Sequence, residues 1–475
     1  MGKAKGFIEI DVKEPDYRDV KQRLKDFKEV ERVLNDEEIQ EQAARCMDCG
    51  IPFCHGCGCP LGNLIPEWNE YVYRGFWKLA LNILLSTNDF PEFTGRICPA
   101  PCETACTAGI SSSPVSIRQI EVALVEKGFA SDYISSYIPK KRTDKKVAVI
   151  GSGPSGLSAA NQLNKLGHNV TIYERDKFPG GLLRYGIPDF KLDKRIIERR
   201  IKLMGEQGIK FETGIDVGSD ITAKYLLKKF DAICLASGAR KPRDLNIPGK
   251  MYDNIYFALD FLTMQNKEVS NEEFSSNKIS VRNKKVVVIG GGDTGSDCVG
   301  TSNRQSASSV TQIEIMPKPP EIRSEGTPWP EWSYKLRTSS SHKEGCERLW
   351  SVMSKSFEGV DGKVSKINAV KVEWEFSERG LPVAMKEIPG TEFSIEADVV
   401  FLSMGFIGPE KMKILKQLEV EQDKRTNVIV NELGNTGLEN VFATGDIVSG
   451  ASLVVRALEA GKITARHIDN YLLEK

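Results

Sequence analysis

The sequence is poor in histidine, with only four, and it has no net charge and no long apolar run. Its 65 basic and 65 acidic residues cancel, so no global field draws it to nucleic acid or to an anionic membrane. The longest apolar runs, such as VVFLSMGF at 399–406, fall far short of the ~20 residues that a membrane-crossing helix needs. The opening MGKAKGFIEIDVKEPDYRD has no continuous apolar core of the signal-peptide kind, and MGKAKG lacks the Ser or Thr of a myristoylation signal. These absences predict a soluble, cytoplasmic chain with neither nucleic acid nor membrane as partner. At 475 residues the chain exceeds a single core, and a prior of ~150 residues per domain suggests about three.

Cysteine is present but unevenly placed. Eight of the eleven lie between Cys46 and Cys106, while Cys234, Cys298 and Cys346 are scattered and form no C-x-x-C, which argues against a thioredoxin-reductase-type dithiol. In a reducing compartment such a cluster binds metal more often than it forms disulfides. NDEEIQEQAARC (35–46) predicts a helix with Asn35 or Asp36 as its cap, delivering Cys46 at its end. YVYRGFWKLALNILLSTN (71–88) and SIRQIEVALVEKGF (116–129) also carry helical spacing, with the turn-rich PEFTGRICPAPCETAC between them. Residues 1–35 read as charged and irregular. Residues 1–143 therefore predict a small helical domain held by its cysteines.

Beyond the polar link PKKRTDKK an internal repeat appears: KKVAVIGSGPSG (145–156) returns 139 residues later as KKVVVIGGGDTG (284–295). Each is a buried strand, then G-x-G-x-x-G opening a helix. In the first loop Gly151 permits the turn, Gly153 lets the backbone approach a pyrophosphate, and Gly156 lets helix and strand pack closely. Pro154 and Ser155 open the helix, whose N-terminus attracts phosphate. The next strand, NVTIYE, ends on Glu174, placed to accept ribose hydroxyls, with Arg175 beside it. In the second unit Gly290, Gly292 and Gly295 repeat the pattern, with Asp293 and Thr294 opening the helix. Aligning VTIYE with VTQIE sets Glu314 opposite Glu174, and an acid there favours NADH. The second unit is one residue longer, however, and Arg304 and Lys318 are candidates to neutralise a 2′-phosphate. The strand pattern does not choose between NADH and NADPH.

NVFATGDIVSGASLVVRALEAGKITARHI (440–468) resembles the C-terminal FAD signature of two-dinucleotide-domain flavoprotein reductases, with Gly445-Asp446 beside the ribityl chain and a helix from about Leu453 aimed at the flavin. FDAICLASGAR (230–240) resembles their Ala-Thr-Gly strand end, with Ser237 for the threonine, before Gly238. The predicted fold is α/β: two Rossmann-like domains, the FAD domain split into 144–242 and 402–475 by an NAD(P)H domain at 243–401, preceded by the helical, cysteine-rich domain.

Zinc needs only four ligands. The spacing C-x₂-C-x₄-C-x₂-C-x-C followed by C-x₃-C-x₃-C offers eight thiols, and Cys59-Pro60 and Cys98-Pro99 repeat the Cys-Pro of iron–sulfur runs. ARCMDCGIPFCHGCGCPLGNLIPEWN, TNDFPEFTGRICPAPCETAC, GGLLRYGIPDFKL and PWPEW…LRTSSSHKEG together resemble the small (β) subunit family of bacterial glutamate synthase, essentially end to end. The resemblance implies an electron-input subunit with FAD and two [4Fe-4S] clusters, taking electrons from NADPH or NADH and serving a large (α) subunit. It implies that Cys46, Cys49, Cys54 and Cys106 hold one cluster. By likeness to dihydropyrimidine dehydrogenase, Cys59, Cys98 and Cys102 hold the other, with Glu121 at a glutamine ligand's position. This chain departs from that pattern by one extra residue between Cys54 and Cys59 and an extra thiol, leaving Cys57 as an alternative to Cys59. His55 reads as a hydrogen-bond donor near a cluster or an exposed residue. GGLLRYGIP (180–188) would wrap the FAD pyrophosphate through Gly180, Gly181 and Leu182. The loop TPWPEWSYKLRTSSSHKEG (327–345) reads either as facing a partner or as a lid on the nicotinamide site. No acid–base residue is demanded at the flavin, and Gly2 rather than an amidotransferase cysteine follows Met1. Related architectures serving dihydropyrimidine dehydrogenase, ferredoxin or sulfide are the alternative.

Overall fold

Helix α1 (Asp36–Ala44) starts where the sequence supplies a cap. The computed structural model describes residues 2–273, 278–377, 380 and 382–475. In it the Asn35 side chain accepts the Glu38 N–H at 2.9 Å, and the Glu38 carboxylate accepts the Asn35 N–H at 3.0 Å. The expected helix over 71–88 is two helices, α2 (Ile65–Tyr73) and α3 (Trp77–Thr87), because Gly75 turns the chain at φ 78°. Helices α4 (Pro91–Ile97) and α5 (Ile117–Ala130) complete a bundle around the fully buried Ile39, Trp68, Leu84 and Ile120.

Two five-stranded parallel sheets follow. Strands β1 (Lys146–Ile150), β2 (Asn169–Glu174), β3 (Lys210–Thr213) and β4 (Ala232–Leu235) begin the first. The second takes β5 (Ile255–Phe257), β6 (Lys285–Ile289), β7 (Ser309–Glu314), β8 (Glu347–Trp350) and β9 (Val399–Leu402). The chain then returns to the first sheet with β10 (Val441–Ala443). The orders are β10-β4-β1-β2-β3 and β8-β7-β6-β9-β5, so each sheet reverses direction beside the strand that feeds a glycine loop. Such a reversal opens a crevice at the strands' carboxyl ends. The chain crosses between the sheets twice, side by side, where Lys241–Pro242 pairs antiparallel with Phe406–Gly408. Helices α6 (Pro154–Lys165), α7 (Asp293–Arg304) and α8 (Val454–Leu473) follow β1, β6 and β10.

Two features lay outside the sequence reading. Val352–Val360, Lys363–Phe376, Pro382–Glu387 and Phe393–Glu396 form an antiparallel sheet beside the second domain. Residues 2–35, expected to be irregular, act as a strap: the Val30 N–H donates to Phe190 O at 3.0 Å, and Arg23 pairs with the buried Glu344 at 2.7 Å. The helical domain is joined to the first sheet by a shared core containing Phe90, Phe93, Val149 and Leu163. The buried, two-pronged Arg200–Glu92 pair, at 2.5 and 2.9 Å, lies in the same seam. Among the described residues no helix is long and apolar enough to cross a membrane.

Candidate functional site

One cleft of about 2540 Å³ runs from the second glycine loop, past the first, to Cys57, Cys59 and Cys98. A drug-sized ligand takes ~300–1,000 Å³, so this space suits more than one large ligand. Its first half is built on β1. Gly151, at φ 106°, brings the loop so close to β4 that a Cβ would sit 2.5 Å from Ala236 O. Among the described residues, none comes within 4 Å of where a Cβ on Gly153 would be, so its backbone stays open to a ligand. Pro154, Ser155, Glu174, Arg175, Leu182, Gly238 and Asp446 also line the cleft, whereas Gly156, Gly180 and Gly445 pack behind its wall. At Gly156 a Cβ would stand 2.0 Å from Gly151 O, and at Gly445 one would stand 2.4 Å from Ser155 Oγ. Gly181, at φ 52°, lays the GGLLRYGIP segment directly on the loop: its Cβ would be 2.8 Å from Gly153 Cα. Ser152 ties these parts together, its N–H and hydroxyl donating to Glu174 Oε2 while its Oγ accepts the Gly180 N–H at 2.9 Å. Arg175 is engaged at the rim by Glu410 at 2.8 Å. Asp446 accepts from Ser452 Oγ at 2.7 Å, and burial raises its carboxyl above the usual range. Ser237 Oγ is buried in this wall with no hydrogen-bond partner among the described residues. Open loop backbone, an acid at the ribose position and an unpaired hydroxyl fit a flavin dinucleotide.

The second half repeats the first. Gly290, at φ 121°, stands where a Cβ would be 2.2 Å from Ser403 O, and Gly295 packs on Gly290 O in the way that Gly156 packs on Gly151 O. Gly292, Asp293, Thr294 and Glu314 line the cleft. Glu314 Oε2 accepts the Gly291 N–H at 2.5 Å as Glu174 Oε2 accepts the Ser152 N–H at 3.0 Å. Glu314 Oε1 accepts the Met316 N–H at 3.0 Å as Glu174 Oε1 accepts the Asp176 N–H at 2.9 Å. The extra residue of the second unit therefore does not displace the acid.

Arg304 does not reach this site, which corrects the expectation that it binds the nucleotide. Its guanidinium is buried against Glu344 at 2.5 and 3.0 Å, donates to Asp26 O and stacks 3.8 Å from the Phe190 ring centroid. Lys318 faces outward, paired with Glu321 at 2.9 Å. The long 327–345 loop belongs to the cleft: Trp332, Tyr334 and Arg337 line it, and Trp329 packs on Phe53 of the cysteine domain with ring centroids 4.5 Å apart. Among the lining residues that sequence reading did not single out are Lys191, Asp297 and His342. Lys191 and Asp297 pair at 2.5 Å across the two dinucleotide domains. His342 caps a turn with Ser339 and contacts Gln312 Oε1 at 2.8 Å. Nothing in their local spacing marks them, because their partners are distant in the chain.

The cysteines fall into two groups, and all are free thiols. Cys46, Cys49, Cys54 and Cys106 line one small cavity apart from the cleft, walled by Pro52, Phe53 and Ile65. Cys59, Cys98, Cys102 and Glu121 form the second group. Burial raises the thiols of Cys59, to about 11, and Cys98, to about 12, and the Glu121 charge adds to both shifts. Burial likewise pushes the Cys102 thiol up, with Cys59 and Cys98 contributing. The Glu121 carboxyl is itself raised to about 8, chiefly by burial. It accepts from Thr94 Oγ1 at 2.5 Å and Asn88 Nδ2 at 2.8 Å. A π-helical turn over Cys54–Gly58 absorbs the extra residue, turning Cys54 and Cys59 inward and leaving Cys57 exposed beside His55 at the cleft. Among the described residues no three His, Cys, Asp or Glu side chains could hold a single metal ion. Four thiols around a cavity fit a multi-iron cluster, whose irons are ligated one thiolate each.

Residues 145–461 match the family described as pyridine nucleotide-disulphide oxidoreductase, and residues 23–133 match dihydropyrimidine dehydrogenase domain II, 4Fe-4S cluster. FprA from Mycobacterium tuberculosis in complex with NADPH has the same fold over 70% of this chain and 85% of its own, at 20% identity and TM-score 0.55. The glutamate synthase [NADH] of Schizosaccharomyces pombe is 45% identical over 99% of this chain, which spans 23% of that longer protein. The glutamate synthase [NADPH] small chain of M. tuberculosis is 46% identical over 97% of this chain and 93% of its own length. With this likeness running through the glycine loops and the cysteine groups alike, the chain belongs to the glutamate synthase small-chain family.

Proposed function

We propose that this chain is the electron-input subunit of glutamate synthase: it oxidises NAD(P)H and delivers electrons to a large subunit, whose FMN centre makes glutamate from glutamine and 2-oxoglutarate. The observation that carries this reading is the single cleft joining both glycine loops to Cys59 and Cys98. FAD, when bound, supplies the exchange between a two-electron hydride donor and one-electron iron–sulfur clusters. Glu174 would hold its ribose hydroxyls, and the N-terminus of α6, through the open Gly153 backbone, its pyrophosphate. Asp446 would hold the ribityl chain, with the N-terminus of α8 at the ring. The second loop and Glu314 hold the nicotinamide nucleotide, and the Lys191–Asp297 pair fixes the two domains against each other across the cleft. Cys59, Cys98, Cys102 and Glu121 would ligate the cluster facing the cleft, and Cys46, Cys49, Cys54 and Cys106 the one beyond it.

Beside the cavity of Cys46, Cys49, Cys54 and Cys106, Met47 and Ile51 stand 41% and 78% exposed, apolar side chains that a large subunit docked there would cover. Anaerobic titration of the purified chain tests the reading. NADH or NADPH is expected to bleach the flavin absorbance, and assay should find about eight irons with matching acid-labile sulfide per chain. Capture of an FMN-containing large subunit is expected as well. Zinc without sulfide, or a flavin that neither nucleotide bleaches, counts against the assignment.

A further inference from the structure

Among the described residues, Asn69 is the one amide side chain on the wall of the cavity that Cys46, Cys49, Cys54 and Cys106 share. It lies on α2, on the same face as Ile65 and Pro66, four and three residues earlier, which line the cavity with it. Asn69 is 0% exposed, and neither its Nδ2 nor its Oδ1 has a hydrogen-bond partner among the described residues. A buried polar side chain is nearly always bonded, so one with both ends idle calls for a partner. Trp68 Nε1 is buried and unpartnered too, but Trp68 does not line the cavity. The buried asparagines on the side of the other cysteine group are engaged. Asn88 Nδ2 donates to Thr94 and to Glu121, both at 2.8 Å, and Asn63 Oδ1 accepts from Thr87 Oγ1 at 2.8 Å.

What the Asn69 amide faces is sulfur. Burial raises the Cys46 thiol to about 11, and the Asp48 N–H and then the Asn69 side chain oppose it by favouring the thiolate. The Asn69 contact stops short of a completed hydrogen bond. A thiolate or a bridging sulfide accepts hydrogen bonds and donates none, so only the N–H end of the amide suits it. With neither end engaged, turning that end to sulfur breaks no existing bond. Apart from the cysteines and the half-buried Thr107, the other lining side chains are apolar. In such surroundings a hydrogen bond to a charged sulfur is strengthened. A cluster that takes up one electron gains one negative charge, so an N–H donor stabilises its reduced state more than its oxidised one.

We propose that Asn69 donates a hydrogen bond to sulfur of the cluster held by Cys46, Cys49, Cys54 and Cys106, and so raises the reduction potential of that cluster. The inference rests on the functional reading above and adds a residue to its electron path. No covalent bond forms or breaks: one electron leaves the cleft-facing cluster and enters the outer one, which Asn69 makes the better acceptor. The test is a redox titration of the anaerobically purified full chain, followed by electron paramagnetic resonance. Asn69→Leu keeps the approximate size and removes the donor. In it the reduced-to-oxidised ratio of one cluster at a fixed potential should fall by roughly tenfold, about 59 mV for a one-electron couple, while the other cluster and the flavin keep their midpoints. Two unchanged midpoints in an iron-loaded Asn69→Leu overturn the proposal. An equal shift of both overturns it too, because that reports loosened packing. Where the variant does not hold its iron, the wild-type chain decides. With ¹⁵N in its asparagine side chains, pulsed resonance is expected to show ¹⁵N coupled to a reduced cluster, and the absence of that coupling overturns the proposal. Zinc without sulfide overturns the functional reading and this inference with it, whereas loaded clusters with unmoved midpoints overturn this inference alone.

Discussion

Glu121 and Cys57 show how single residues with similar local credentials separate once their surroundings are known. Glu121 lies on α5 with both of its hydrogen bonds at one oxygen, close enough to Cys59 and Cys98 to raise their thiols. Glu121→Ala should lower the iron content from about eight to about four per chain. Iron content equal to wild type in that variant removes Glu121 from the ligand set. Cys57→Ser is expected to leave iron unchanged, because the thiol is exposed outside both groups, whereas Cys59→Ser should lose about half. His342 provides a pH-dependent case. Burial, reinforced by Arg348 and Lys191, pushes its imidazole down to about 4. The unfolded chain therefore takes up a proton between about pH 6.5 and 4 that the folded chain refuses, and stability falls as pH falls through that window. His342→Gln should flatten this part of the thermal midpoint–pH curve relative to wild type.

At the scale of elements, the two glycine loops were legible because a strand, three spaced glycines and a helix start are all local in sequence. Helix α1 was legible for the same reason, since Asn35 and Glu38 cap it within one turn. The 71–88 segment misled because its apolar spacing continues through Gly75, where a positive φ turns the chain. Helix α8 depends on a glycine whose importance is not local. A Cβ at Gly461 would lie 2.2 Å from Ser155 O, on the first turn of α6, and Ser158 Oγ donates to Leu458 O at 2.6 Å in the same contact. Gly461→Ala should therefore push the α6 start out of place. Overpacking of this kind costs about 1–3 kcal/mol, to be read as a lower thermal midpoint together with weaker FAD retention.

At the scale of the molecule, the N-terminal strap and the buried charges between domains set how the three units sit together. Arg23 and Arg304 converge on the fully buried Glu344. Removing one partner leaves the others buried and uncompensated, at a cost of about 3–5 kcal/mol. Glu344→Gln is expected to lower the unfolding midpoint, measured calorimetrically, without changing the order of nucleotide preference. Arg304→Met should do the same. A change of NADH/NADPH ratio in Arg304→Met, at unchanged stability, would return that residue to the nucleotide site.

The sequence by itself determined the two nucleotide-binding loops, the acids at their strand ends, the cysteine-rich helical domain and the family, because each is written in contiguous spacing. Only the tertiary structure decided three further points. It placed Cys59 rather than Cys57 with Cys98 and Cys102, by spending the extra residue in a π-turn. It closed Arg304 inside a buried ion cluster instead of at a phosphate. It set the 327–345 loop along the cleft, against the cysteine domain. In each case the deciding partner lies tens to hundreds of residues away, and whether a charge or a thiol is free depends on which distant group the fold brings beside it.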